Sequence, residues 1–567
     1  MKRFFRFSLV MLVLLVAGMG IIATVPHSPV LAQPPATAEP VYGPQKPERH
    51  NRGEVGATAA ALPELETTPI PLFYSVPVPQ PPATPTPTPT VVGAEEPFNS
   101  QPVAATATPG LPAPGQRFSA AMRPSFAADI GLYCGDCPQY FLQLWVSPAE
   151  ASLQGIAEVH FLNTTYRPLN EIVFRLYPNF PMDVFGNGGT TQMQVTAASV
   201  QGQPVEAQYV AQQTALRVPL LQPLPHRAAT TLVLTFTATL EPWEDGNYPL
   251  EAYYPLLAVH DGADWRLDVT NFPDHLYAQT ALYMADITIP STLDMVSTGS
   301  TVAAYVHSNG STTYSVAAGP VRDFALTVGD FAMQTSQGGV SGDIQVNVYT
   351  ARESVLDAQQ IAQFAADALT VYEQRFGAYP YRELDIHLMP DRFDGGWEHP
   401  GLIFLSSDAQ VDSGTQYVTA HEVAHQWWYG VVGNDVFRDA WLDEAFAQYS
   451  AIIYAEDVEG AAVAEMFRAS EITWRYQEAL AAGDLPIGLA IDVFPSFHVY
   501  YQTVYGKGAL FLQTVRQEIG DTAFFAALQH YYQSHKYGIA TSRDVQQAFE
   551  DASGRDLSWL FAVWVGL

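Results

Sequence analysis

His421-Glu422-Val423-Ala424-His425 places two imidazoles four residues apart, with a carboxylate beside the first. The surrounding segment, Val418 to Trp428, contains no Pro or Gly and reads as helix. Residues four apart share one helix face, so both rings can reach a single metal ion. A catalytic zinc takes three protein ligands and keeps one position open for water. Glu444 supplies the third: it follows His425 after 18 intervening residues, in Trp441-Leu442-Asp443-Glu444-Ala445-Phe446-Ala447, which reads as the start of a second helix. Two neutral nitrogens and one carboxylate suit Zn2+, one ion per chain. Glu422 then stands as a general base toward water, and the chemistry available to such a set is hydrolysis.

Two further segments flank this motif. Upstream lies Gly395-Gly396-Trp397-Glu398-His399, and downstream Tyr505-Gly506-Lys507-Gly508-Ala509. Taken singly, Glu398 is either an ordinary loop carboxylate or a fixed anion near the metal, and Tyr505 either a core or surface tyrosine or a hydroxyl donor. Their order and spacing about the histidine motif resemble the zinc aminopeptidases typified by aminopeptidase N, gluzincin metallopeptidases whose pattern is HExxH, eighteen residues, then Glu within a WLNEGFA-like block. The upstream segment is similar to that family's GxMEN motif and the downstream one to its YxKGA block. Departures are Trp397 for Met, His399 for Asn, Asp443 for Asn and Ala445 for Gly; the last two are expected to touch no metal ligand. The resemblance implies that Glu398, with Gly395 and Gly396, binds the free α-ammonium group of a peptide and that Tyr505 hydrogen-bonds the developing oxyanion. Trp397 is expected to narrow the first subsite, and Asp439 and Asp443 are candidates for orienting a ligating histidine. Leu557 to Trp564 resembles the closing helix of the family's catalytic domain. Many relatives carry further C-terminal domains over the site, so an open cleft is expected here.

The elements that must hold these residues follow from periodicity. Between 127 and 350 short alternating or β-branched runs recur, at Tyr140 to Val146, Ile172 to Tyr177, Leu232 to Leu240, Leu282 to Ile289 and Ile344 to Tyr349, predicting an all-β domain. From Ser354 the period changes: Val355 to Phe376 reads as helix, Leu384 to Met389 and Leu402 to Leu405 as strands, and nearly everything after Ser413 as helix. The fold class is multidomain α+β. The resemblance implies a saddle-like β-sandwich for 127–350 and a thermolysin-like, mainly α catalytic domain for 351–567. Residues 33–126 are dominated by Pro, Ala and Thr and predict a disordered, extended linker or stalk. Residues 1–32 read as a signal peptide or membrane anchor: Lys2, Arg3 and Arg6 precede an apolar run from Ser8 to Val25, and Val30-Leu31-Ala32 offers a cleavage site. The folded part is thus expected to be extracytoplasmic, secreted or anchored at the cell surface by the N-terminal apolar segment.

Lys plus Arg number 26 against 57 Asp plus Glu, a formal charge of −31 that repels phosphates and excludes nucleic acid as a partner. Cys134 and Cys137 stand alone and cannot complete a four-cysteine zinc site; in an exported chain they read as a local disulfide. The expectation is a zinc-dependent metallopeptidase that removes N-terminal residues from peptides. Beside it stand a zinc endopeptidase with an open cleft, a stalk-borne binding module on a peptidase scaffold, and a zinc hydrolase acting on a non-peptide substrate such as an epoxide. Oligomeric state is not read from the sequence.

Overall fold

A computed structural model describes residues 116–181, 192–270, 272, 275–390, 395–407 and 411–567. The expected signal segment 1–32 and residues 33–115 of the linker lie outside the described residues. No helix among the described residues is long and apolar enough to cross a membrane.

The first half is β-rich. Gln139–Ser147 lies in the middle of an eight-stranded sheet, pairing antiparallel with Ser152–Leu162 and parallel with Ala281–Pro290. Alternation of buried and exposed positions along Ser152–Leu162 reflects the two-residue period of a strand with one face on the core. A four-stranded sheet around Leu169–Arg175 and a three-stranded sheet around Ala325–Gly329 complete this part.

The second half is a five-stranded sheet followed by helices. In the order across that sheet, Phe331–Gly338, Ile344–Ala351, Glu383–Pro390, Leu402–Ser407 and Gly395–His399 are successive neighbours. Ile344–Ala351 pairs parallel with Glu383–Pro390, from Gln345↔Glu383 to Tyr349↔His387. A parallel pair needs a crossover, and helix Ala358–Arg375 provides it. Asp357 caps this helix by accepting from Gln360 N at 3.1 Å, a contact worth about 1 kcal/mol. Its buried face, Ile361, Ala365, Leu369 and Tyr372, follows the helical period.

Two boundaries move. The expected break at 350/351 would divide this sheet; the pairing of 344–351 with 383–390 puts the start of the second part at Phe331. The linker was expected to run to 126, yet Gln116–Ala121 and Pro124–Phe126 form 3-10 turns packed on the body. Phe118 and Met122, four residues apart, are buried. Arg123 reaches Glu373 Oε1 at 2.5 Å, Tyr379 O at 2.8 Å and Asp343 Oδ1 at 2.8 Å. These anchors outweigh the Pro- and Ala-rich composition that suggested a linker. Cys134 and Cys137 form a disulfide. Among the described residues one large hydrophobic core runs through both halves, from Phe118 to Val565, beside a smaller cluster that includes Val296, Phe331, Met389 and Phe404.

Candidate active site

Helix Ser413–Ala424 carries His421 and Glu422, with His425 as its C-terminal cap residue. Asp412 starts it through a capping box, accepting from Gly414 N at 2.7 Å and Thr415 N at 3.3 Å. The helix ends four residues earlier than the expected Trp428. The physical reason is tertiary: Gly430 N donates to His425 O at 2.8 Å, and Tyr429 takes a positive φ of 118° that no helix continues through. His425 keeps helical φ/ψ, so its ring still shares a face with His421. Helix Trp441–Val458 lies alongside and presents Asp443 and Glu444 in its first turn. Tyr417 OH donates to Gln448 O at 2.9 Å and Trp428 Nε1 to Ser450 Oγ at 3.1 Å, fixing the two helices to each other.

This packing brings three ligand-type atoms together. His421 Nε2 and His425 Nε2 are 3.0 Å apart, and Glu444 Oε2 lies 3.3 Å from the first and 3.5 Å from the second. Donors about 2 Å from a tetrahedral ion are about 3.3 Å apart, so the spacing fits zinc. All three side chains are buried, and Glu444 Oε2 takes part in no conventional hydrogen bond, which a bound cation would remedy. The His425 ring is oriented from behind: its Nδ1 faces Asp443 Oδ1 at 2.6 Å and Trp428 O at 3.0 Å. With two acceptors there, Nδ1 keeps the proton and Nε2 presents its lone pair to the metal position.

Asp443 therefore stands where a carboxylate orients a ligating histidine, the role for which it and Asp439 were candidates, and does not stay clear of the ligands as its departure from the family pattern was expected to do. Asp439 does not reach the site; it accepts a hydrogen bond from Ser542 Oγ instead. Ala445 packs against Gly508, where an added Cβ would come within 2.5 Å of the Ala445 methyl, so the glycine sets how closely helix Gly508–Ile519 approaches helix Trp441–Val458.

Strand Gly395–His399 lies at the edge of the five-stranded sheet, beside the His421 helix. A Cβ at Gly396 would lie 2.3 Å from Glu422 Cδ, so only glycine lets this strand run against the Glu422 carboxylate; at Gly395 the nearest atom is 3.6 Å away. Alternation puts Glu398 on the same face as Gly396. Its carboxylate oxygen groups within 4.8 Å with ligand atoms of Glu422 and His425, and likewise with those of Asp443 and Glu444. Trp397 consequently faces the other way. It is half-buried and packs against the small apolar cluster that includes Val296, Phe331, Met389 and Phe404, with its ring 6.4 Å edge-on from Trp243, on the face of the strand away from Glu398 and so away from the first subsite it was expected to narrow. Tyr505 sits in a π-helical turn, Gln502–Lys507, of the kind frequently found at functional sites. Its ring is nearly parallel to that of His421, with centroids 6.0 Å apart.

Charge accumulates here. Burial foremost, then the carboxylates of Asp443, Glu444 and Glu422 against the opposing pull of His425, push the Glu398 carboxyl well up. Burial also raises Asp443, to about 6, although His425 opposes it. Burial would lower the His425 imidazole, but Asp443, Glu444 and Glu398 outweigh it and hold the ring well above its usual value. In His421 burial dominates and lowers the imidazole. A desolvated cluster of four carboxylates is a site that favours cations.

Reading the motifs missed the residues that brace this arrangement. Arg322 and Asp323, from the β-rich half, and Gln426, directly after His425, hold the ends of both the strand and the histidine helix. Two adjacent charges closing the apolar run Val316 to Val321 were the available signal.

Residues 362–564 match the Peptidase family M1 domain. Aminopeptidase 2 of Candida albicans is 24% identical over 246 residues, 39% of this chain and 25% of that protein. Aminopeptidase N of Streptomyces lividans is 27% identical over 223 residues, 37% of this chain and 26% of that protein. The matched stretch thus spans about a quarter of the length of these relatives. Among solved structures, a mutant M1 zinc metallopeptidase from Deinococcus radiodurans bound to a Tyr-Ser-Ala substrate superposes with a TM-score of 0.58 at 21% identity, covering 76% of this chain and 94% of that one. The same organism's M1 zinc metallopeptidase in another structure gives 0.56 at 22%, covering 76% and 93%. Over residues 362–564 the chain is thus similar to the Peptidase family M1 domain, and its β-rich and helical two-part fold is like that of the Deinococcus radiodurans M1 zinc metallopeptidase.

Proposed function

We propose that this chain is a zinc-dependent aminopeptidase, with His421, His425 and Glu444 holding one zinc ion. The observation that carries the reading is the position of Glu398, whose carboxylate groups within 4.8 Å with ligand atoms of Glu422 and His425 and with those of Asp443 and Glu444. An anion at that distance anchors the α-ammonium group of a peptide through charge-assisted hydrogen bonds, so that only the first peptide bond reaches the metal. The names of the related aminopeptidases and the peptide bound to the Deinococcus radiodurans protein support the substrate class.

When bound, zinc supplies Lewis acidity, lowering the pKa of water toward neutrality and polarising the scissile carbonyl. Glu422 is buried, and Gly396 leaves room for its carboxylate. It takes the proton of the attacking water and returns it to the leaving amine. The Tyr505 hydroxyl donates to the oxygen of the tetrahedral carbon, a contribution of about 3 kcal/mol. Asp443 keeps the proton of His425 on Nδ1 throughout. Hydrolysis of aminoacyl-anilides by residues 116–567 tests the reading. Cleavage of free-amine substrates that is lost with a chelator and restored by zinc is expected, whereas equal cleavage of N-acetylated substrates would contradict the role of Glu398 and favour an endopeptidase.

We also propose that the chain acts outside the cytoplasm, secreted or tethered through its N-terminal apolar run. The Cys134–Cys137 disulfide supports this, because such bonds persist in oxidising compartments. Residues 33–115 then serve as a spacer between tether and enzyme. Recovery of the native protein in the cytosolic fraction would contradict it. The eight- and four-stranded sheets support a saddle-like sandwich for the β-rich part, and the helix pair beside the five-stranded sheet supports a thermolysin-like catalytic part.

A further inference from the structure

Arg322 and Asp323 are consecutive residues in the connection between strands Ser311–Val321 and Ala325–Gly329 of the β-rich half, and both are fully enclosed, at 2% and 0% exposure. A buried arginine beside a buried aspartate is costly unless each is completely partnered. No ion pair joins the two; apart from an Arg322 Nη1 contact to Ala278 O at 3.4 Å in its own half, their side chains reach into the second half of the molecule. Arg322 donates from Nε to Tyr429 O at 2.6 Å and from Nη2 to Val431 O at 3.3 Å and to Gly538 O. It therefore grips the chain directly after the histidine helix. Gly433 makes room for it, since a Cβ there would stand 2.0 Å from the guanidinium carbon.

Asp323 grips the other element. Its Oδ1 accepts from His399 Nδ1 at 2.8 Å, and its Oδ2 accepts from the Tyr429 hydroxyl at 2.5 Å. His399 is the residue after Glu398 and, by strand alternation, points to the opposite face. The link closes through Gln426: its Nε2 donates to His399 O at 3.1 Å, and its Oε1 accepts from Gly401 N at 2.7 Å. Tyr429 is held at a φ of 118°, a conformation a tyrosine keeps only when its surroundings impose it.

We infer that Asp323, His399 and Tyr429 form an interdomain clamp that sets the distance between Glu398 and the metal ligands, and that Asp323, supplied by the β-rich half, is a positioning residue for recognition of the substrate's amino terminus. This rests on the aminopeptidase reading above. The clamp touches neither substrate nor metal. It fixes the end of the strand that carries Glu398 to the end of the helix that carries His421 and His425, so a shift between anchor and metal weakens the charge-assisted contact to the substrate's ammonium group and is read in KM.

The test uses the full chain, with zinc content and melting temperature measured for every variant and constants expressed per bound zinc. Asp323→Asn presents an amide NH2 to one of two donors and so breaks one side of the clamp. It is expected to raise KM for an alanyl-anilide about tenfold while kcat changes less than about threefold. Tyr429→Phe removes one hydroxyl without changing shape, keeps the test decisive if Asp323→Asn does not fold, and is expected to raise KM about threefold or more. His399→Leu should behave as Asp323→Asn, whereas His399→Asn, which can still donate to Asp323, should restore KM to within about twofold of wild type. A loosening that is merely structural would lower kcat or zinc content and leave KM alone. Unchanged KM in both Asp323→Asn and Tyr429→Phe, or no difference between His399→Leu and His399→Asn, overturns the clamp. Failure of the underlying reading looks different: wild type itself would then cleave N-acetylated and free-amine anilides equally, and Glu398→Ala would change neither.

Discussion

The histidine helix and the Glu398 strand face each other across a few ångströms, yet they are held in opposite ways. His421, Glu422 and His425 are arranged by the helix they share, and Glu444 by one neighbouring helix, so their geometry follows from local spacing plus the packing of one helix pair. Glu398 is arranged by nothing local. It sits on a five-residue edge strand whose place is set by Gly396 against Glu422, by Gln426 against His399 O, and by Asp323 from the other half of the molecule. The comparison teaches that reactivity is built into short-range sequence here, whereas the choice of which bond is cut depends on long-range contacts.

Substitutions on the two sides should therefore differ in kind. The largest effect is expected from Glu422→Gln, which removes the proton acceptor and should lower kcat by about a thousandfold with zinc still bound, as read by steady-state kinetics and metal analysis. Tyr505→Phe leaves the ring stacked on His421 and should lower kcat by about a hundredfold with little change in KM. A change confined to KM in either case would break the division drawn above. On the strand side, the adjacent glycines make an internal control. Gly396→Ala forces a methyl into the Glu422 carboxylate and should cost about a hundredfold in kcat/KM, while Gly395→Ala, whose methyl makes only an ordinary contact with Ser406 Oγ at 3.6 Å, should cost less than about threefold. Apart from that control, the smallest effect is expected at Asp443→Ala, which frees the back of His425 and should weaken zinc binding by about tenfold, measured by competition with a chelator.

The same contrast explains what could be read in advance. The HExxH spacing, Glu444 and the change of period after Ser354 are local signals, and each corresponds to an element of the fold. Both domain boundaries were misjudged because a parallel strand pair and a packed N-terminal segment are decided by partners far along the chain. Ile344–Ala351 looks like any other strand until Glu383–Pro390 lies beside it. Gln116 to Phe126 has linker-like composition until Arg123 meets Glu373 and Asp343. Asp443 was underrated for a related reason. Its reach to His425 Nδ1 depends on how two helices dock, and spacing along one helix carries no record of that. Asp323 lies 76 residues before His399, with nothing in either segment to announce the other.

The most direct test of the central claim is a time course of cleavage of one defined decapeptide, offered with a free and with an acetylated amino terminus to the zinc-loaded chain and followed by mass spectrometry. The account predicts stepwise loss of single residues from the free amino terminus, no cleavage of the acetylated peptide, and loss of this distinction in Glu398→Ala. Internal fragments from both peptides at equal rates would contradict it.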